Sequence, residues 1–523
     1  MQSNRKEQKI MINMFCFQCQ ETCGNTGCTM TGACGKTASL ANAMDALIHH
    51  LKIIALTRKV SHELALFIAK SLYMTITNTN FSEKSIVYQL RKAQKITEGS
   101  SFNAPTGVLS NENEDTVSLR EFITYALKGI CAYIVHADSL GGKDESLDDF
   151  IFYALRTIAE ETDISKLETL LAESGSAAIK AMSLLDEVHT AQFGSQERTV
   201  VSTAVSQNPS ILVSGHDLKD LYELLVQTKN KGIDVYTHGE MLCAHAYMLF
   251  KKFPHLRGHY GSAWYRQNQE FTSFNGAILM TSNCITPVQE AYCKRIFTTN
   301  CCHYPGIFHI EDAERGMMKD FSPVIECALT CPPPTELEVR EFLIGFAHNE
   351  LNSCLEQIVE NIKSGAIKRF IVMAGCDGRQ KNRSYYSDVA TLLPQDTIIL
   401  TAGCAKYRYN SFASGEINGI PRLLDAGQCN DSYSLAIFAL KLKEALGEED
   451  INKLPISFDI AWYEQKATAI LLALLSLGFK NIRLGPTLPA FVSPKILKFL
   501  EKNYKLKTIL TPHEDISSML RGK

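Results

Sequence analysis

The 523-residue sequence has no excess of charge of either sign: 53 Lys and Arg stand against 56 Asp and Glu, a net charge of −3. Without a basic surplus there is no electrostatic footprint for nucleic acid, and without a block of like charge there is no tail for a polyanionic partner. Small or neutral substrates fit better. Long apolar runs are missing too. The longest, Ala467 to Phe479, falls short of the about 18 to 20 residues that a membrane span needs, so no membrane partner is expected. Arg5, Lys6 and Lys9 precede an apolar stretch, Ile10 to Phe15, that Asn13 interrupts and Cys16 ends; it does not read as a signal peptide. No complete G-x-G-x-x-G follows a strand pattern, so no bound nicotinamide or flavin is expected. What remains, 45% hydrophobic and 21% charged residues, is an ordinary globular composition, with length for three or four domains at about 150 residues each.

Cysteine is plentiful: 17 residues, clustered rather than scattered. A disulfide framework belongs to small secreted chains and does not suit this one. Thiols kept reduced in a cytoplasm and used as metal ligands suit the clustering better.

Hydrophobic periodicity divides the chain. Leu40, Ala43, Met44, Leu47, Leu51 and Ile54 recur at helical spacing. Ser118 with Glu121 reads as a capping box opening a second helix, and a third begins near Ser146 and Asp149. Glu98 to Asp115 reads as a linker between helix groups. After Gln192 strand patterns (Ile211–Ser214, Asp234–Thr237, Ala277–Thr281) alternate with helical ones (Asp217–Gln227, Met241–Lys251), which argues for a parallel α/β sheet. Asn283 to Pro334 breaks the regularity. Alternation resumes with strands at Arg369–Ala374, Thr397–Ala402, Ile456–Ile460 and Asn481–Leu484. The expected organisation is multidomain α and α/β: a helical-bundle domain over residues 1–192, then α/β domains over 193–348 and 349–523.

The first chemical constellation is Cys16, Cys19, Cys28 and Cys34, with Cys23 inside the run. Four thiolates so close in sequence can wrap one cubane iron–sulfur cluster or one tetrahedral zinc. Gly24, Gly27, Gly32 and Gly35 make the segment a loop rather than a core strand. Spacing alone does not decide which four of the five bind. The second constellation lies past strand ends: His216, Glu240, Cys284, Cys376, Cys404, Cys429 and Glu464. Ligand sites in open parallel sheets lie beyond the carboxyl ends of strands, so these side chains can converge on one crevice as a mixed S/N/O metal site.

The motifs Met14-Phe-Cys-Phe-Gln-Cys-Gln-Glu-Thr, Val213-Ser-Gly-His-Asp-Leu-Lys, Val235-Tyr-Thr-His-Gly-Glu-Met, Val372-Met-Ala-Gly-Cys-Asp-Gly-Arg, Ala402-Gly-Cys-Ala-Lys-Tyr-Arg-Tyr-Asn, Asp425-Ala-Gly-Gln-Cys-Asn-Asp-Ser-Tyr and Ile460-Ala-Trp-Tyr-Glu-Gln-Lys resemble the hybrid cluster protein family, also called hydroxylamine reductase, from Met14 to Lys523. The resemblance implies a helical domain and two Rossmann-like α/β domains. It implies a proximal [4Fe-4S] cluster on Cys16, Cys19, Cys28 and Cys34, leaving Cys23 without a ligand role. A hybrid [4Fe-2O-2S] cluster is implied on His216, Glu240, Cys284, Cys376, Cys404, Cys429 and Glu464, with a persulfide at Cys376. Residues Met1 to Asn13 precede the family's usual start, and the Glu98–Asp115 linker is short beside that of longer members. Cys301, Cys302, Cys327 and Cys331 match no family ligand position and read as structural or incidental.

The activity implied is reduction of hydroxylamine to ammonia and water, with electrons supplied by a separate reductase and entering through the proximal cluster. Nitric oxide reduction and a role in nitrosative stress are linked to the same family. His238 and Lys466 are candidate proton donors or supports beside the ligands. Three other readings remain: a carbon monoxide dehydrogenase-like enzyme, which nickel would mark; a non-catalytic electron-transfer or nitric-oxide-sensing protein; and a zinc-binding structural protein.

Overall fold

The computed structural model describes residues 13–100, 106–109, 113–314, 316–411 and 415–523. Arg5, Lys6 and Lys9, and part of the linker expected at Glu98–Asp115, lie outside the described residues. Six helices come first: α1 (Ala38–Thr57), α2 (His62–Met74), α3 (Glu83–Ile96), α4 (Glu114–Ser139), α5 (Glu145–Glu160) and α6 (Ile164–Phe193). Each is opened by a side-chain oxygen that accepts a first-turn backbone N–H, from Thr37, Ser61, Ser82, Asn113, Asp144 and Asp163 in turn. Their apolar stripes, among them Leu47, Leu51 and Ile54 of α1 and Phe122, Ile123, Leu127 and Ile130 of α4, meet in one core. Ser118 and Glu121 do not form the expected capping box. The helix has already begun at Glu114 under the Asn113 cap, with Glu114 and Asp115 favouring its positive end. Ser118 is buried, and its hydroxyl instead accepts the Ser493 N–H at 2.9 Å.

The next portion runs β1 (Thr199–Ser202), β2 (Ser210–Ser214), α7 (Leu218–Thr228), β3 (Asp234–His238), β4 (Leu256–His259), α8 (Gln267–Phe274), β5 (Ala277–Met280), β6 (Ile296–Thr299), β7 (Phe308–Ile310), α9 (Ser322–Thr330) and β8 (Glu341–Ile344). Then follow α10 (His348–Ser353), α11 (Leu355–Lys363), β9 (Arg369–Gly375), α12 (Ser384–Leu392), β10 (Thr397–Thr401), β11 (Glu416–Ile417), β12 (Ile420–Pro421), β13 (Leu423–Asp425), α13 (Ser432–Leu446), β14 (Ile456–Ala461), α14 (Gln465–Ser476), β15 (Ile482–Gly485), α15 (Pro494–Tyr504), β16 (Lys507–Thr508) and α16 (Pro512–Leu520). Two six-stranded sheets result, ordered β4-β3-β2-β5-β6-β7 and β13-β10-β9-β14-β15-β16, and every pairing in them is parallel. Both follow the 3-2-1-4-5-6 order of a doubly wound fold, which opens a crevice between its first and fourth strands. These strands are β2 and β5 in one sheet, β9 and β14 in the other. Strands β1 and β8 pair antiparallel as a separate ribbon.

Two sequence expectations need correction. Met241–Lys251 is not an α-helix but two 3-10 turns, Gly239–Ala246 and Phe250–Lys252. The first is buried on all sides, and His245 Nε2 is held 3.0 Å from Thr237 Oγ1 and 3.1 Å from the Gly258 carbonyl, so tertiary contacts override helical periodicity. Asn283–Pro334 is not wholly irregular, because it contains β6, β7 and α9.

Helix α14 is the keystone between the helical bundle and the second sheet, since it packs on α4 and α6 while its first turn reaches the crevice. Two glycines let it in. A Cβ on Gly175 of α6 would lie 2.2 Å from the Leu472 carbonyl oxygen, and one on Gly129 of α4 would lie 2.8 Å from that of Gln465. Gly175→Ala is therefore expected to destabilise the protein by about 1–3 kcal/mol, the usual cost of forcing helices apart by overpacking, read as a lower thermal midpoint. Among the described residues no helix is long and apolar enough to cross a membrane.

Candidate metal centres

The first centre is a loop pinned at both ends. Cys16 and Cys28 pair as an isolated antiparallel bridge, with Cys28 N–H donating to the Cys16 carbonyl at 2.8 Å and Cys16 N–H to the Cys28 carbonyl at 3.1 Å. Backbone N–H groups of Cys23 and Ala33 both point at Cys28 Sγ, each at 3.4 Å. Burial pushes the Cys19 thiol well up, and the neighbouring Cys16, Cys34 and Cys28 add to the shift. The structure thus draws Cys16, Cys19, Cys28 and Cys34 together, whereas Cys23 sits exposed. Two buried lysines stand beside this group, Lys36 and Lys128, and Lys128 Nζ donates to Gln18 Oε1 at 2.8 Å.

The second centre is built from both sheets. His216 follows β2, Glu240 follows β3 and Cys284 follows β5; Cys376, Cys404, Cys429 and Glu464 follow β9, β10, β13 and β14. All seven line one cavity of about 400 Å³, with Ser214, Gly215, Gly239, Trp264, Asn283 and Tyr463 completing the wall. Strand-end convergence, read from sequence as a topological rule, is realised at the facing crevices of the two sheets.

Each polar ligand candidate is oriented by a neighbour. His216 Nδ1 lies 2.9 Å from Ser282 Oγ, which also accepts the His216 N–H at 2.8 Å, while its Nε2 faces inward, 2.9 Å from Lys466 Nζ and 4.0 Å from Glu240 Oε2. Burial and then Lys466 hold the imidazole well below its ordinary range, so it is neutral and its Nε2 lone pair accepts from Lys466 Nζ. Glu240 Oε2 accepts the Cys429 N–H at 3.0 Å, but its Oε1 is buried with no partner. Glu464 caps α14 by accepting the Lys466 N–H at 2.8 Å through Oε2, leaving Oε1 with only a long 3.4 Å bond from Asn283 and an ammonium at 3.6 Å. Burial pushes the thiols of Cys284 and Cys404 well up, and the adjacent Cys376 does so for Cys429. Together these donors form a site short of positive charge: stacked thiols and carboxylates in low dielectric want cations.

Among the described residues no three His, Cys, Asp or Glu side chains close on a point as a single-ion chelate would. The seven donors surround a cavity instead, an arrangement that suits a polynuclear centre. The donor set, the cavity and the orphaned Glu240 oxygen fit an iron–sulfur–oxygen group.

His238 does not line the cavity. Its ring nitrogens are taken by Ser214 Oγ and Glu270 Oε2, each at 2.9 Å, so it touches the site only through Ser214. Lys466 is buried at the site itself. Sequence reasoning missed Ser282, although it stands in Thr281-Ser-Asn-Cys beside an expected ligand, and it missed Trp264 and Arg383, for which no local pattern gives a signal.

A helical bundle joined to two doubly wound sheets, with one thiol-rich loop and one mixed-donor cavity at the strand ends, defines a multidomain metalloprotein of iron–sulfur type. The chain belongs to the Prismane/CO dehydrogenase family, whose model matches residues 14–517. It is similar to the hydroxylamine reductase of Nitratidesulfovibrio vulgaris, 49% identical over 98% of this chain and 100% of that protein, and to that of Acetivibrio thermocellus, 50% identical over 97% and 99%. Among solved structures it is similar to carbon monoxide dehydrogenase IV from Carboxydothermus hydrogenoformans, with a TM-score of 0.59 and 16% identity over 99% of this chain and 94% of that one. At that identity the likeness speaks to fold alone.

Proposed function

We propose that the chain reduces hydroxylamine, NH2OH + 2e− + 2H+ → NH3 + H2O, in the cavity between the two sheets. The observation that carries the reading is the convergence of His216, Glu240, Cys284, Cys376, Cys404, Cys429 and Glu464 on that one cavity, with Glu240 Oε1 unpartnered. Full-length similarity to proteins named hydroxylamine reductase supports it. In this reading those seven side chains hold the hybrid [4Fe-2O-2S] cluster, Cys376 carries the persulfide, and Cys16, Cys19, Cys28 and Cys34 hold a [4Fe-4S] cluster that takes electrons from a separate reductase in the cytoplasm. When bound, the hybrid cluster supplies electrons and a Lewis-acidic iron that polarises the N–O bond.

The chain's own residues do the rest. Ser282 fixes the His216 ring so that Nε2 faces the cavity. Lys466, raised above its ordinary value because Glu464 and the thiols outweigh burial, holds a proton at Nζ beside the reacting atoms. Trp264 and Tyr463 pack with ring centroids 4.6 Å apart and planes tilted by 33°, and both wall the cavity.

Protein purified without oxygen is expected to contain about eight irons per chain, as two four-iron clusters require, and to reduce hydroxylamine with a reduced viologen dye. Stoichiometric nickel would instead favour the carbon monoxide dehydrogenase-like reading. Iron-loaded protein without turnover would favour an electron-transfer or sensing role.

A further inference from the structure

Arg383 ends a short 3-10 turn (Lys381–Arg383) ahead of α12, and its side chain is completely buried. Its Nη2 donates to Gln20 Oε1 at 2.8 Å and to the Trp462 carbonyl at 2.7 Å, and its Nη1 donates to the Cys376 carbonyl at 3.2 Å. All three acceptors are neutral, and Nε has no partner. Of the carboxylates nearby, Glu21 is bound by Arg379 at 2.7 Å and Asp377 by Arg408 at 2.8 Å; Asp377 also feels the charge of Arg383, after that of Arg408, so three guanidinium groups share two carboxylates. Among the described residues Arg383 forms no ion pair of its own.

A guanidinium stays charged at any physiological pH, and a buried charge that its neighbours balance only in part is unfavourable. The compensation has to come from what surrounds it. Its three acceptors adjoin the two thiol centres in the chain: Gln20 follows Cys19 of the first, Cys376 is a member of the second, and Trp462 precedes Glu464 by two residues. The space is kept for it as well, since a Cβ on Gly378 would lie 2.8 Å from Arg383 Nε.

We propose that Arg383 is the shared counter-charge of the two centres, a positioning residue that sets both reduction potentials at once. The inference rests on the reading that both centres hold clusters. Thiolate-bound clusters are anionic and gain a further negative charge on reduction, so a fixed cation bonded both to the Cys376 carbonyl and to the side chain that follows Cys19 favours the reduced state of each. One residue therefore keeps the electron-accepting and electron-delivering centres poised together.

The test is a potentiometric titration of the loaded protein, with each centre followed by its own electron paramagnetic resonance signal. Arg383→Gln removes the charge and, with a shorter side chain and a single amide NH2, part of the donor fork; Arg383→Lys keeps the charge and also loses the planar fork, so a change seen with Gln and absent with Lys reads the charge. In Arg383→Gln both midpoints are expected to move negative by at least 59 mV, a tenfold change in each one-electron equilibrium, while Arg383→Lys stays near wild type. If Arg383→Gln takes up no iron while Arg383→Lys loads fully, the requirement for charge is upheld at the stage of assembly. A loaded Arg383→Gln protein with unchanged potentials, or with only one shifted, overturns the proposal. So does failure of Arg383→Lys to load, which would make the role one of packing. Absence of two cluster signals from the wild-type protein would instead overturn the functional reading, whatever Arg383 does.

Discussion

Replacing Cys28 with Ser is expected to remove one of the two cluster signals and more than a hundredfold of hydroxylamine turnover, whereas Cys23→Ser leaves both intact. Both residues lie in the same glycine-rich loop. Cys28 is buried, paired with Cys16 across a backbone bridge, and its sulfur accepts N–H groups from Cys23 and Ala33. Those N–H groups stabilise a thiolate and tune a cluster bound to it. A Ser hydroxyl in that place is a poor ligand for iron–sulfur chemistry. Cys23 is exposed and meets the group through its backbone N–H, which points at Cys28 Sγ. In the proposed reading electrons enter through the first centre and would then have no route, so turnover with an external dye is expected to fall by more than about 2.7 kcal/mol in transition-state terms. Iron content per chain and the dye-linked rate, measured together, decide it: an iron content unchanged in Cys28→Ser, or halved in Cys23→Ser, would contradict the assignment.

Glu464→Gln is expected to lower hydroxylamine turnover by well over tenfold, more than about 1.4 kcal/mol, with the first centre's signal unaltered. The structure sharpens this expectation, because Glu464 performs two tasks. Its Oε2 caps α14, and its Oε1 faces the cavity. Gln retains an acceptor for the Lys466 N–H, so the cap costs at most a few tenths of a kcal/mol. What Gln removes is the negative charge that pairs with the Lys466 ammonium at 3.6 Å and that, in the proposed reading, would hold iron. A thermal midpoint near wild type with a large loss of rate separates the two tasks. Near-wild-type turnover in a fully iron-loaded protein would reduce Glu464 to a helix cap.

The sequence was most legible where chemistry and topology coincide. Parallel-sheet strands are buried on both faces and read as short apolar runs, so Ile211–Ser214, Arg369–Ala374 and Ile456–Ile460 stood out, and the candidate ligands stood out by following them. Short edge strands such as β7 and β16 were invisible because a few residues carry no period. The Ser118 box misled because S-x-x-E is as common inside a helix as at its start, and only the packing of Ser493 shows that Ser118 is buried.

From residue identity alone came the two groups of donors and the alternation that sends the second group to strand ends, since ligand type and strand periodicity are local properties. Tertiary structure decided which four of five thiols in the first loop gather, because burial depends on what packs over the loop. It separated His238, held by Ser214 and Glu270, from Lys466 at the cavity, and it gave Glu464 a cap as well as a face toward the site. It also brought the buried guanidinium of Arg383 onto both the Gln20 side chain and the Cys376 carbonyl, whose residues lie hundreds of positions apart in the chain. Such a position is a sum of long-range packing against Gln20, Cys376 and Trp462, and Coulomb's law acts on distance in space, of which sequence separation carries no record.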